Sequence, residues 1–177
     1  TYRLALIGVM TAILCILGPL SIPLPFSPVP LSLTNFAILL AVFLLGWKWG
    51  TVSCGIYLLL GLVGVPVFSG FSGGMAKLLG PTGGYLVGFL LLAVISGLFV
   101  EKFEQARLPV AAGMALGMLV DYLFGTLWLA ILMKLSFGQA LMMGVVPYLA
   151  GDAVKLIIAL LLGSALRRRL QALRILV

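Results

Sequence analysis

The sequence predicts an all-α integral membrane protein, a bundle of about six transmembrane helices. Of its 177 residues, 63% are hydrophobic and only 8% are charged, and the mean hydropathy is +1.31. A soluble domain carries charged side chains at about a quarter of its positions. A chain with so few charges needs lipid around most of its surface. Its length suggests a single domain, 1–177.

Six apolar segments account for the predicted bundle, each a candidate for crossing a hydrocarbon core that needs about 20 residues of helix. The first ends at a Gly-Pro pair, and the third is short enough that it must tilt or continue into the loop behind it. The later ones are bounded by glycine, proline or charged residues. The segments are 4–17, 35–47, 51–63, 83–100, 109–133 and 147–166.

The lysines and arginines orient this bundle, because they concentrate in cytoplasmic loops. With both termini inside, eight lie on the cytoplasmic side and two outside, and Lys155 falls within a span. A net charge of +7 also raises nucleic-acid binding. However, a basic cluster behind an apolar helix is typical of a membrane flank. The cytoplasmic residues are Arg3, Lys48, Lys102, Arg107, Arg167, Arg168, Arg169 and Arg174; Lys77 and Lys134 lie outside.

Two loops on the outer face are expected to be structured. Loop 19–34 holds five prolines, which favour extended backbone and exclude a regular helix. Loop 64–82 is rich in glycine, which permits close backbone approach. Because Phe26, Phe68 and Phe71 lie in these loops, we predict a lid over a pocket; two solvated connectors are the alternative.

Asp152 and Lys155 are the first candidate binding residues. They are three apart on the sixth segment and share a helix face with Tyr148, one turn toward the outside. Charges inside a membrane are costly and usually mark a functional site. The alternative is a salt bridge that only holds the bundle together.

Asp121, on the fifth segment, is the third intramembrane charge, at a depth similar to that of Lys155. Either it faces Lys155 and keeps it protonated, or it bonds to the backbone of a neighbouring helix. The same segment carries Tyr122, Gly125 and Trp128, a combination suited to a small-molecule slot. For Trp128 an aromatic belt at the membrane interface is a serious alternative.

Helix termini and small residues supply weaker candidates. Thr82 is a predicted N-cap, and the N–H groups at Gly83 are able to hold a ligand oxygen. Ala5, Gly8 and Ala12 form a small-residue face on the first helix, for internal packing or for another subunit. The chain has no histidine, no metal-ligand spacing and no GxxxxGK[ST] loop, so neither a metal, a cofactor nor an ATPase of its own is expected.

At this point the residues resemble a known family. The stretch GLVGVPVFSGFSGGMAKLLGPTGGYLVGF at 61–89 resembles the signature of the BioY family, the biotin-specific S components of energy-coupling-factor (ECF) transporters. PLPFSPVPLSLTNF, DYLFGTLWLA and PYLAGDAVK are similar to other parts of that family, so the likeness covers nearly the whole chain. The chain departs from it at Thr34 and Asn35, where glutamine and threonine are expected.

The resemblance implies a subunit of a bacterial cytoplasmic membrane that captures biotin from outside. Such a subunit docks on a transmembrane coupling protein with two cytoplasmic ATPases and topples in the membrane to release the vitamin. This favours docking for the small-residue face of the first helix. Lys155 then meets the carboxylate and Asp152 the ureido N–H groups, or the reverse. Further contacts to the ligand are implied for Tyr85, Tyr122, Trp128, Tyr148, Thr34, Asn35 and Gly83.

Three other functions remain open from the sequence. An S component for a different vitamin is the runner-up. An integral-membrane enzyme such as a lipid transferase needs an acid–base set or a metal in a cleft, for which a chain with four acidic residues and no histidine offers little. A channel needs a polar filter that the sequence lacks.

Overall fold

The computed structural model describes residues 2–103 and 106–172. It is a bundle of helices, and its elements follow in the order α1 (Tyr2–Leu17), β1 (Ser21–Leu24), β2 (Ser27–Ser32), α2 (Thr34–Val63), α3 (Met75–Leu78), α4 (Gly83–Lys102), α5 (Arg107–Met133), α6 (Phe137–Gly144) and α7 (Leu149–Ala172). A 3₁₀ turn, Val146–Tyr148, leads into α7. Arg174 of the predicted basic cluster lies outside the described residues.

The predicted helical membrane architecture is confirmed. Four helical runs of the described residues are long and apolar enough to cross a membrane: Thr34–Val63, Gly83–Lys102, Arg107–Met133 and Phe137–Ala172. A fifth apolar helix, Tyr2–Leu17, is shorter.

The chain reverses inside α2, at Gly46. This residue has φ +77° and ψ −178°, a conformation that favours glycine. A methyl group on Gly50 would lie 2.7 Å from Val42 Cα, whereas eight residues of continuous helix would separate the two by about 12 Å. The Trp47 N–H that opens the second limb donates to Glu101 Oε1 at 3.2 Å. Limbs 34–45 and 47–63 therefore correspond to the second and third predicted segments, and the turn between them is tighter than predicted.

The first loop is extended, as predicted, but it also pairs with itself. β1 and β2 form an antiparallel hairpin in which Ser21 faces Ser32 and Ile22 faces Leu31. The all-α prediction did not include this hairpin, although most of the described residues are helical. The prolines exclude a helix in this loop, but their spacing does not predict which residues pair across the hairpin.

The second loop, 64–82, is anchored by one aromatic residue. Phe68 is fully buried, and its ring meets that of Tyr57 edge-on at 5.6 Å. The Tyr57 hydroxyl also donates to Val67 O at 3.1 Å. By contrast, Phe26 and Phe71 are 59% and 67% exposed, so of the three phenylalanines that motivated the predicted lid only Phe68 is buried.

α6 is an element that the sequence reading did not predict. Its start is fixed by a capping box: the Gln139 N–H donates to Ser136 Oγ, and the Ser136 N–H donates to Gln139 Oε1. The helix ends before the turn that contains Pro147. Gly144 at its end lies beside Tyr85, and Tyr148 of the following turn lies against the hairpin. Both residues join the wall of the cavity described next.

Candidate functional site

A cavity lies between the two structured loops and the helices beneath them. Together with its mouth and the adjoining open space it holds about 590 Å³ free of protein atoms, and about 60 Å³ of this region admits the centre of a water-sized sphere. Strand β2, loop 64–82, the first turn of α2, and helices α4, α5 and α7 all contribute to its wall. Its polar and aromatic lining includes Ser32, Asn35, Lys77, Thr82, Tyr85, Asp121, Tyr122, Tyr148, Asp152 and Lys155.

Asp152 and Lys155 form the ion pair expected of residues three apart on one helix. Lys155 Nζ lies 2.8 Å from Asp152 Oδ1, and both side chains are largely buried. Lys155 also donates to Ser32 O at 2.5 Å and reaches Asn35 Oδ1 at 3.5 Å. The Tyr122 hydroxyl donates to Asp152 Oδ2. The pair is therefore both a structural bridge between α7, α5 and the hairpin and a part of the cavity wall.

Two tyrosines line the cavity with their rings while their hydroxyls tie the wall together. Tyr85 of α4 donates to Gly144 O at 3.0 Å. The single Tyr148 O–H lies within hydrogen-bond distance of two acceptors, Ser27 Oγ at 2.8 Å and Val29 O. Because these hydroxyls already have acceptors in the chain, the two residues offer a ligand mainly their aromatic faces.

Asp121 follows neither of the two alternatives predicted for it. Among the described residues, Lys155 pairs with Asp152 and not with Asp121, and no backbone group bonds to Asp121. The residue is 4% exposed, and its Oδ1 has no hydrogen-bond partner within the described part of the chain. A methyl group on Gly88 would lie 2.2 Å from this oxygen, so glycine makes the space that it occupies. An unpartnered buried polar group is costly, and Asp121 is one of the residues that line the cavity.

Lys77 is the cavity residue that sequence reasoning missed. It is half-buried in α3 and lines the cavity. No hydrogen bond or ion pair joins it to any other residue that the structure describes. Burial lowers the pKa of its ammonium group below the ordinary lysine value. The available signal was that Lys77 is the one charged residue of loop 64–82.

Comparison with known proteins settles the family. The BioY family model matches residues 1–172. The chain belongs to the BioY family. The predicted resemblance is confirmed across nearly the whole length, including both loops that contribute to the cavity lining.

Individual BioY proteins align over most of their own length as well. "Biotin transporter BioY" of Thermotoga maritima is 39% identical over 161 residues, covering 91% of this chain and 93% of the relative. "Probable biotin transporter BioY" of Pyrococcus horikoshii is 37% identical, covering 93% and 96%. A crystal structure of the S component for biotin from an ECF-type ABC transporter matches with a TM-score of 0.88 and 35% identity, covering 94% of this chain and 90% of the other. The chain is thus a multi-pass membrane protein.

Three residues implied by the BioY resemblance lie outside the cavity lining. Trp128 Nε1 donates to Gly80 O at 2.9 Å and so holds the end of loop 64–82 to α5. Gly83 is packed so closely that a methyl group there would lie 1.7 Å from Leu78 O. Thr34 is buried, and its Oγ1 accepts from Ser32 Oγ at 3.2 Å. These positions support the wall from behind.

The start of α4 also differs from the prediction. Thr82 is at the N-cap position, but its side chain caps nothing. Its Oγ1 is buried without a partner among the described residues, and Thr82 lines the cavity.

Gly125 of α5 does not open a slot for a ligand. The space that it leaves is filled by the Tyr85 ring, which a methyl group on Gly125 would approach to 2.2 Å. Across 2–103 and 106–172, no three His, Cys, Asp or Glu side chains assemble as a metal site.

Proposed function

We propose that this chain captures biotin from outside the cell as the S component of an ECF-type transporter. The observation that carries the proposal is the polar arrangement of the cavity wall. It combines a lysine and a buried carboxyl oxygen that have no partner among the described residues with an aromatic lining and an internally paired Asp152–Lys155 bridge. The names of its BioY relatives and of the matching crystal structure support the same ligand.

Lys77 is the better partner for the carboxylate end of biotin. The ammonium group of Lys155 already has Asp152, Ser32 O and Asn35 around it. Lys77 has no such partner in the described chain, and a carboxylate would supply the charge-assisted hydrogen bond that it lacks. The sequence-based assignment of Lys155 to the carboxylate is the alternative that the predictions below discriminate.

The ureido end of biotin offers two N–H donors and one acceptor. Asp121 is the carboxyl group in the cavity wall with an oxygen that no described residue satisfies, so we assign one ureido N–H to it. Asp152 retains acceptor capacity beside Lys155 and Tyr122 and takes the other. The apolar bicyclic body then packs on Tyr85, Phe89 and Tyr148, which line the same space.

Six membrane spans, with both termini in the cytoplasm, fit the fold. The reversal at Gly46 divides Thr34–Val63 into two limbs, and α1 adds a short apolar helix to the four long runs. Eight lysines and arginines fall on one side of that topology and two on the other. The cavity then opens toward the outside.

The hairpin and loop 64–82 serve as a lid in this proposal. Gly70 N donates to Pro19 O at 3.1 Å, which links the two loops. Ser27 Oγ donates to Met143 O at 2.8 Å, which ties the hairpin to α6. Trp128 holds the other loop at Gly80. A ligand enters when these few contacts open and is enclosed when they re-form.

The exposed face of α1 is the proposed docking surface for the coupling protein, which carries the two cytoplasmic ATPases. Ala5, Gly8 and Ala12 are all exposed, and a methyl group on Gly8 would meet nothing within 4 Å. The opposite face of α1 is packed inside the bundle, where Thr11 bonds to Ser53. Small side chains allow a partner helix to approach closely.

Binding of tritiated biotin to the purified protein tests the function. We expect saturable binding that unlabelled biotin displaces and that a panel of other vitamins leaves intact. Displacement by a different vitamin at lower concentration would assign the chain to that ligand instead. Absence of binding for the whole panel would refute the role as a vitamin-capturing subunit.

A further inference from the structure

A second hollow lies at the other end of α7. Arg167 is twelve residues beyond Lys155, which places it about 18 Å further along the helix. The hollow holds about 1020 Å³ free of protein atoms, open space included. Its apolar lining is formed by Phe43, Val110 and Leu160 from three different helices. It is therefore separate from the cavity that we assign to biotin.

Arginines from two helices line the polar side of this hollow: Arg107 at the start of α5, and Arg167 and Arg168 near the end of α7. Arg167 donates to Phe43 O at 2.8 Å, which fixes its side chain at the wall. Arg107 and Arg168 have no hydrogen bond or ion pair with any residue that the structure describes. None of the described lining residues is acidic.

This combination selects a ligand with both an anionic group and an apolar body. A guanidinium group binds phosphate oxygens through two parallel N–H donors. A free phosphate ion would satisfy the arginines and leave Phe43, Val110 and Leu160 exposed to water. A phospholipid places its phosphate among the arginines and its glycerol and acyl carbons on the apolar lining. Basic pockets between helices on the cytoplasmic side are suited to anionic head groups.

We propose that the hollow between α5 and α7 is a binding site for one anionic phospholipid of the cytoplasmic leaflet. The inference rests on the membrane orientation given under Proposed function. It differs from the general attraction of a basic flank for anionic lipid, because it assigns the effect to Arg107 and Arg168 and excludes Arg169. Arg169 is exposed on the same helix turn but does not line the hollow.

Native mass spectrometry of the purified protein with added phosphatidylglycerol or phosphatidylcholine tests this site. We expect phosphatidylglycerol to bind one-to-one. Each of Arg107→Gln and Arg168→Gln should weaken it about fivefold, and the two together about thirtyfold, from the usual strength of one arginine–anionic lipid contact. The control pair Arg3→Gln with Arg169→Gln removes the same charge and should change binding less than twofold. Phosphatidylcholine should bind weakly to all variants, and inorganic phosphate should not displace the lipid.

Four outcomes would overturn the proposal. If the control pair weakens phosphatidylglycerol binding as much as the Arg107–Arg168 pair, the lipid is attracted by overall charge and not by this site. If phosphatidylcholine binds as tightly as phosphatidylglycerol, the site does not require an anionic lipid. Displacement by inorganic phosphate would assign the hollow to a soluble anion. Unchanged lipid binding with lost assembly onto the coupling protein would make it a protein interface. Biotin binding, measured in every variant, reports folding; its absence from the wild-type protein would refute the transport function while leaving the lipid result readable.

Discussion

Replacing Lys77 by methionine tests which lysine meets the carboxylate of biotin. The substitution keeps most of the length and apolar contact of the side chain and removes the ammonium group. Lys77 has no partner in the described chain to lose, so the empty site should change little. Any effect on binding then reports the contact with the ligand.

The expected size follows from the surroundings of Lys77. A hydrogen bond to a charged group contributes about 1.5–3 kcal/mol, or roughly 10- to 150-fold in Kd. Because Lys77 is half-exposed, water screens part of this interaction, and we expect about tenfold weaker binding of biotin. Biotin amide has no charge at that end, so its Kd should change about twofold or less.

Isothermal titration of each variant with biotin and with biotin amide measures the Kd of both ligands. Lys134→Met is the matched control, because Lys134 lies on the same side in the proposed topology but outside the cavity lining. Lys155→Ala supplies the contrast: it leaves the buried Asp152 without its cation and should weaken both ligands. If Lys77→Met weakens both equally, or if Lys155→Ala alone separates the two ligands, the carboxylate belongs to Lys155.

The lowered pKa of Lys77 gives the same assignment a pH signature. A carboxylate binds the protonated lysine, so binding raises this pKa from the lowered value of the free protein. Affinity for biotin should therefore be constant at neutral pH and fall as the pH rises through that lowered value, earlier than an ordinary lysine would cause. Biotin amide should show no such fall. Parallel pH profiles for the two ligands would contradict the contact.

Three further predictions concern the wall, the lid and the reversal in α2. Asp121→Asn should weaken biotin about tenfold yet leave an analogue methylated at the assigned ureido nitrogen nearly unaffected; equal losses in titration would remove Asp121 from the ureido contact. Trp128→Phe removes the hydrogen bond to Gly80 O, worth about 1 kcal/mol, and should speed biotin release about fivefold in a chase experiment; an unchanged rate would contradict the lid. Gly46→Ala strains a residue at φ +77° beside Glu101 and should lower stability by about 1–3 kcal/mol. Gly55→Ala, whose methyl group meets nothing within 4 Å, is its control in thermal unfolding, and equal melting temperatures would refute the strain.

The helical segments were predictable because the cost of placing polar backbone or charge in lipid leaves long apolar runs in the sequence. The start at Gly83 and the end at Met133 match the structure, and Leu17 closes α1 as predicted. The hairpin and α6 were harder to predict from the sequence. Strand pairing in 19–34 depends on which residues face each other across a turn, and α6 is only eight residues long.

The predictable and unpredictable residues of the site differ in the same way: a charged residue is noticed in the sequence only where a charge is unusual. Asp121, Asp152 and Lys155 attract notice because an ionisable group inside a span is expensive, and all three line one cavity. The pairing of Asp152 with Lys155 was predictable from their spacing of three. The position of Asp121 was not, because the distance between α5 and α7 decides whether it reaches either residue. A lysine in a loop costs nothing by itself, so no energetic argument distinguishes Lys77 before the fold is known. Only the fold of loop 64–82, anchored by Phe68 and Trp128, brings that ordinary residue into the cavity wall, where its lack of a partner among the described residues supports the proposed contact with the ligand carboxylate.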